Sequence, residues 1–312
     1  MLEIKGDSDH TKLIDMLTDL NDYSIGIEDV LKEHFDEENI VYWMAFQILM
    51  GNVDTQNRNV YLYSPLNSDI WYFIAWDNDG CLMRPEYELR NFSDQNSWEK
   101  GISNYWGNIL FQRCLKSRSF REKLNDAILD LREYLNKDML TSKIESYKNV
   151  LKPYLYLMPD AEYEPLTSEQ YDQIAASLPD EIEKNYQLYL ESLETPMPFY
   201  IGVPTIDGDK LKFNWDVSYD LDAEDITYFV EVARDYLFRD VIYQNTTLTV
   251  PEAEMDLPEA GQYFVRVRAT NTSGKTQDAF DYYVTDEGKH YGMKCFYITE
   301  DNTVEEDIYE EG

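Results

Sequence analysis

The hydrophobic rhythm of the chain changes once, near Thr195, and no other feature narrows the fold as far. Before that point apolar residues recur at spacings of three and four, as in Leu13, Ile14, Leu17 and Leu20 and again in Leu124, Ile128, Leu131 and Leu135. This is the spacing of helices with one buried face. One stretch breaks the pattern: residues 59–63 and 71–76 are rich in Val, Tyr, Ile and Phe and flank the turn composition Ser64-Pro65-Leu66-Asn67-Ser68-Asp69, which predicts a β-hairpin behind a hydrophobic helix ending at Met50-Gly51. After Thr195 the proline-punctuated segment Pro196-Met197-Pro198-Phe199 leads into alternating strands at 211–215, 228–233, 247–250 and 263–269. The fold class is therefore α+β: a mainly helical domain over 1–195 with an inserted hairpin, an all-β sandwich over 196–290, and an acidic tail over 291–312. From Glu300 onward the tail has seven acidic residues and no basic one.

Charge excludes whole classes of partner. The 312 residues carry 61 acidic and 27 basic side chains, a net charge of −34, so no clustered cation is in place to displace counterions from nucleic acid, and anionic membranes repel the chain. Cys81, Cys114 and Cys295 are far apart and odd in number, which supports neither a disulfide framework nor a zinc knuckle. His10, His34 and His290 show no metal-ligand spacing, leaving carboxylate oxygens and a hard divalent cation as the metal option. No apolar run reaches the ~18 residues of a membrane span, and the first residues lack the regions of a signal peptide, so no membrane insertion and no leader are expected.

Polar chemistry concentrates in residues 42–80. Asp54 and Asn59 have the D-x-x-x-x-N spacing of a kinase catalytic loop, and Asp77 follows the second strand of the hairpin, where kinases place a metal-binding aspartate. Phosphoryl transfer needs an oxygen to accept the substrate hydroxyl proton and hard ligands for magnesium. Asp54 suits the first need, and Asn59 and Asp77 the second. Asn52 is placed to hydrogen-bond the loop and orient Asp54. The competing reading of Asp54 and Asn59 is a helix cap or an Asx-turn.

Taken together, Gly51-Asn52-Val53-Asp54, Asn59, the aromatic strand at 60–63 and Trp76-Asp77-Asn78-Asp79 resemble the G-N-x-D…N-x-Y-x-Y…W-D-x-D signature of the spore-coat CotH kinase family. The resemblance implies a protein-kinase-like fold that transfers phosphate from ATP, with Mg or Mn, to Ser or Thr of secreted, spore-coat or surface proteins. It implies Asp54 as the catalytic residue, Asn59 and Asp77 as cofactor and metal ligands, and Asp79 as a further metal-site acid, for which a solvated turn position is the alternative. It also implies an extracellular, cell-surface or spore-coat location. Only about forty residues precede residue 42, with Lys5, Lys12 and Lys32 among them, so the chain is expected to hold the catalytic-loop half of the kinase-like domain without its nucleotide lobe. The alternative function is a non-catalytic extracellular binding or scaffold protein that keeps the kinase-like fold.

In the β region, Trp215, Leu257, Tyr263 and the run from Phe264 to Asn271 before Gly274 resemble a fibronectin type III domain, which implies a spacer or a module with a protein partner. Trp98, Tyr105, Trp106 and Phe111 are expected in the core of the helical domain, with part of a peptide groove as the other reading. The basic run Arg113, Lys116, Arg118, Arg121 and Lys123 is expected on a salt-bridged helix face, with an acidic substrate segment as the other reading.

Overall fold

Helix α3 (Glu37–Met50) organises the first half of the chain because it has almost no polar face: Ile40, Val41, Trp43, Met44, Ala45, Ile48 and Leu49 are all buried. A helix apolar all round must be enclosed by its neighbours. It starts where Asp36 accepts from the Asn39 amide at 2.9 Å, with Glu37 and Glu38 in the first turn, and stops at Gly51, which turns left-handed at φ +62°. The structure, a computed structural model, describes residues 9–55, 58–89, 97–286 and 288–307. It divides into two units, Met1–Asn91 with Tyr105–Tyr189 and Phe92–Asn104 with Leu190–Gly312.

In the first unit, α1 (Thr11–Asn21) and α2 (Ile27–His34) precede α3, and strands β1 (Tyr61–Tyr63) and β2 (Tyr72–Ile74) form the antiparallel hairpin that the sequence predicts. Period-2 alternation turns Phe73 inward, to 4.8 Å from the Trp43 ring, and leaves Tyr61, Tyr63 and Ile74 exposed on the other face. Helices α4 (Arg84–Leu89), α5 (Ile109–Lys116), α6 (Arg118–Tyr134), α7 (Lys137–Leu155) and α8 (Ser168–Glu194) complete the helical set. Phe111 of α5 stacks on Trp43 at 5.6 Å and meets Tyr105 edge-on at 5.3 Å, so Tyr105 and Phe111 are core as expected.

The basic run falls on two helices and is engaged internally. Arg113, 7% exposed, donates to the carbonyls of Leu20, in the last turn of α1, and Ile25, in the α1–α2 connection. Arg121 caps the Leu115 carbonyl at 2.6 Å, Lys123 pairs with Glu37 at 2.6 Å, and Arg118 pairs with Glu122 at 2.9 Å.

In the second unit, β3 (Thr205–Asp207), β4 (Lys210–Asn214) and β7 (Glu252–Asp256) form one sheet in that order. The other sheet contains β5 (Ile226–Ala233), β6 (Val241–Leu248), β8 (Gly261–Asn271), β9 (Thr276–Asp278), β12 (Met293–Ile298) and β13 (Val304–Glu306). Its order is β13-β12-β8-β5-β6, with β9 also on β8. Strands β10 (Tyr282–Thr285) and β11 (Gly288–Tyr291) make a separate hairpin. Phe213, Trp215, Tyr228, Val230, Val265 and Phe296 fill the core. Trp98, expected in the core of the helical domain, belongs instead to this unit and packs on Phe280 at 5.1 Å.

Two further expectations are corrected here. The acidic tail expected from residue 291 is instead strand for much of its described length: β12 pairs along β8 and β13 along β12, because Phe296 and Ile298 have core positions to fill. Lys294 joins this end of the sheet to its surroundings, 3.2 Å from Asp281 and 2.6 Å from Glu306. The strand expected at 247–250 begins earlier and ends sooner, as β6. Among the described residues no helix is long and apolar enough to cross a membrane.

Candidate active site

Two loops make the site, and the first begins where α3 ends. Past Gly51 the chain enters the interior at Asn52, 2% exposed, and an amide buried this deeply needs partners for both its ends. Asn52 Nδ2 donates to Gln47 Oε1 at 3.0 Å and to Asn78 Oδ1 at 3.4 Å, while its Oδ1 accepts from the Asp54 amide at 3.3 Å. Gln47 Nε2 reaches the same Asn78 oxygen at 3.0 Å. These three amides form a closed polar hub under the loop. Thr55, fully buried, donates to the Asn52 carbonyl at 3.2 Å and lies 3.0 Å from the Tyr105 hydroxyl. Asp54 stands between these anchors on a 3-10 turn, Val53–Thr55, with its side chain exposed.

The second loop leaves β2 through Trp76 and Asp77 into a 3-10 turn, Asn78–Gly80. Asp77 is left-handed at φ +50°, a conformation that Asp tolerates better than most residues and that concentrates at functional turns. Gly80 fixes how closely the loops approach: a Cβ there would sit 2.9 Å from Asn52 Oδ1 and 3.4 Å from Asp54 Oδ2. The Asp54 carboxylate therefore lies against the turn that carries Asp77 and Asp79. Their mutual repulsion registers at Asp77, whose carboxyl is held above its ordinary value first by the charge of Asp79, then by desolvation, its hydrogen bond to Asp79 and the charge of Asp54. Cys81, next in the chain, has its thiol pushed up to about 12 by burial, which leaves it protonated and inert as a nucleophile at neutral pH. Across the loops, the Leu82 amide donates to the Met50 carbonyl at 2.8 Å.

Of the residues singled out from sequence, Asp54, Asp77 and Asp79 are thus brought together. Asn59 sits at φ +53° in the bend leading to β1, and the interactions that tie the three aspartates to one another do not include it. Asn52 holds the Asp54 backbone. Sequence reasoning missed Gln47, Asn78 and Gly80. Gln47 was findable as the lone polar residue late in an apolar helix, whereas nothing local marks Asn78 as its partner. Next to the acids, Tyr61 and Trp76 face each other at 5.6 Å and are both exposed.

Among the described residues no three His, Cys, Asp or Glu side chains converge as a ready-made cation cage. The donor set is nevertheless of one kind, carboxylate and amide oxygens, which suits a hard divalent cation whose remaining positions are filled by phosphate oxygens and water.

No curated protein matches the chain. Among solved structures, the twitchin kinase region from C. elegans is similar at 15% identity and a TM-score of 0.23, covering 30% of this chain and 20% of that one. The surface layer protein SbsC, domains 1–6, is similar at 11% identity and a TM-score of 0.17, covering 99% of this chain and 41% of that one. The chain thus spans less than half the length of either, and both likenesses are too slight to define a fold. The family comparison is of another order: residues 2–189, more than half of the chain, match the model described as CotH kinase protein. With the Asp54 and Asp77 loops inside the matched region, the chain belongs to the CotH kinase protein family.

Proposed function

We propose that the helical unit is an ATP-dependent protein kinase centre, acting with Mg2+ or Mn2+ on Ser or Thr of a secreted, spore-coat or surface protein. The observation that carries this reading is the close approach at Gly80, which puts the Asp54 carboxylate beside the Asp77–Asp79 turn. In the reading, Asp54 accepts the proton of the acceptor hydroxyl, a role that suits an exposed carboxylate whose backbone is pinned by Asn52. Asp77 supplies a hard oxygen to the cation, with Asp79 supporting it, and Asn59, which is not tied to the three aspartates, would join them as the amide-oxygen ligand that the family resemblance implies. Bound metal–ATP would contribute the phosphoryl group and neutralise the charge that develops on it. The repulsion stored at Asp77 favours this role, since a cation relieves it.

The β unit is proposed as a fibronectin type III-like interaction module. Its support is the pairing of a β3-β4-β7 sheet with a β12-β8-β5-β6 sheet, and the Tyr263 hydroxyl donating back to the Glu259 carbonyl at 2.7 Å.

Calorimetric titration with Mn2+ and ATP, followed by phosphate transfer to a mixed Ser/Thr protein substrate, tests the kinase reading. Asp77→Ala should weaken Mn2+–ATP binding by at least about tenfold, the lower range even for outer-shell partners of a metal. Asp54→Ala should keep binding and lower transfer by about 10²–10⁴-fold, the usual worth of a general base. A parent protein that binds neither Mn2+ nor ATP would overturn the reading in favour of a non-catalytic scaffold.

A further inference from the structure

The two loops of the site are joined a second time, behind the hub, by helix α8. Arg84, the first residue of α4, lies four positions after Gly80. Its Nη1 donates to Glu181 Oε2 at 3.1 Å and its Nη2 to Asn185 Oδ1 at 2.6 Å. Glu181 and Asn185 are 1% and 3% exposed, so each must be satisfied by the protein itself. Asn185 uses its other end on the opposite loop: Nδ2 donates to the Leu49 carbonyl at 2.8 Å, in the last turn of α3. Gly51 presses on the same amide, since a Cβ there would sit 2.7 Å from Asn185 Nδ2. One side chain therefore accepts from the Asp77 side and donates to the Asp54 side. An amide does both, whereas a carboxylate cannot donate and an apolar residue can do neither.

We propose that Asn185, held in place by Arg84 and Glu181, is a positioning residue that sets the separation of the Asp54 and Asp77 loops. The inference rests on the kinase reading for its consequence but not for its geometry. The hydrogen bonds of these three residues go to one another, to Lys184 and to the Leu49 carbonyl, not to the aspartates. They act by fixing the Leu49–Gly51 end of one loop against the Arg84 end of the other, and through that the gap in which the acids face one another. The ion pair contributes separately, because Glu181 orients the guanidinium so that its second nitrogen is aimed at Asn185.

The test is amide hydrogen exchange on the full chain with Asn185→Asp, which keeps and strengthens the Arg84 contact but turns an oxygen toward the Leu49 carbonyl. Exchange should rise by about tenfold in residues 52–55 and 78–82 together, the equilibrium equivalent of one lost buried hydrogen bond. Residues 40–48, inside α3, report the stability of the whole unit and should shift by less than about twofold. Arg84→Lys, which keeps a cation for Glu181 but loses the fork to Asn185, should raise exchange in the same two segments by less. It serves as the readout if Asn185→Asp does not fold. A rise in one segment alone, in neither, or equally in 40–48 overturns the proposal. Mn2+–ATP affinity then separates the two readings. A variant with both loops loosened should bind about tenfold or more weakly, the lower end for an outer-shell partner, and unchanged affinity would remove Asn185 from the working of the site. A parent that binds neither Mn2+ nor ATP would remove the kinase reading, and the exchange result would still decide the clamp.

Discussion

Asp77 combines an unfavourable backbone conformation with an unfavourable charge, and both costs fall at one residue of the candidate site. Its carboxyl is raised above the ordinary value of 3.8, so the folded chain holds that proton more tightly than the unfolded chain. The sign follows from linkage: stability from this group is present at low pH and is lost as pH rises through the raised value. Asp77→Asn removes the repulsion. Its melting temperature should exceed the parent's by a margin that widens from about pH 3 to about pH 6, in the range of carboxylate titration. Adding Mn2+ with ATP should raise the melting temperature of the parent and leave the variant unmoved. A parent that outlasts Asp77→Asn at neutral pH would show that repulsion is not what governs this turn. The residues that carry charge here were legible from sequence, because aspartates at fixed spacing around a hairpin form a local pattern. The network of amides beneath them was not. Gln47 and Asn78 are 31 positions apart, and only the tertiary approach of the second loop brings Asn78 to Gln47 and Asn52.

At the scale of elements, the hairpin holds its loops only as firmly as its inner face is packed. Phe73 is locked between Trp43 and Phe111, with ring centroids at 4.8 and 5.8 Å, and Phe111 also supports Tyr105, which reaches Thr55 under the Asp54 loop. Phe111→Ala should therefore cost about 3–5 kcal/mol in urea unfolding, the usual range for a buried aromatic. A loss below about 1 kcal/mol, typical of surface changes, would mean that the cluster is not the keystone of this unit. Helix α3, its glycine stop and the two hairpin strands could all be read in advance, because each rests on a period within one segment. The pairing of β12 and β13 could not. Composition measures how a segment tolerates water, and Glu305 and Glu306 made that measure read as tail, whereas strand pairing depends on a free sheet edge and on apolar anchors such as Phe296 and Ile298.

At the scale of the molecule, the charge of −34 gives every copy of the chain the same reason to avoid its neighbours. Strand β13 carries that reason to the place where it matters most for a sheet. It covers β12, whose Cys295, Phe296 and Ile298 are buried, and it presents Glu305 and Glu306 in the outermost position. An uncovered flank of β12 would be an open template for another chain, the usual start of strand-by-strand aggregation, and acidic residues on the last strand are a standard defence against it. A chain ending at Ile298 should remain folded in its helical unit but self-associate, visible as a rise in light scattering that grows with salt as the repulsion is screened. Scattering that stays flat would show that β12 needs no cover. The segment whose composition reads as surplus charge thus acts as the selvedge of the sheet, the finished border that stops one molecule from being woven into the next.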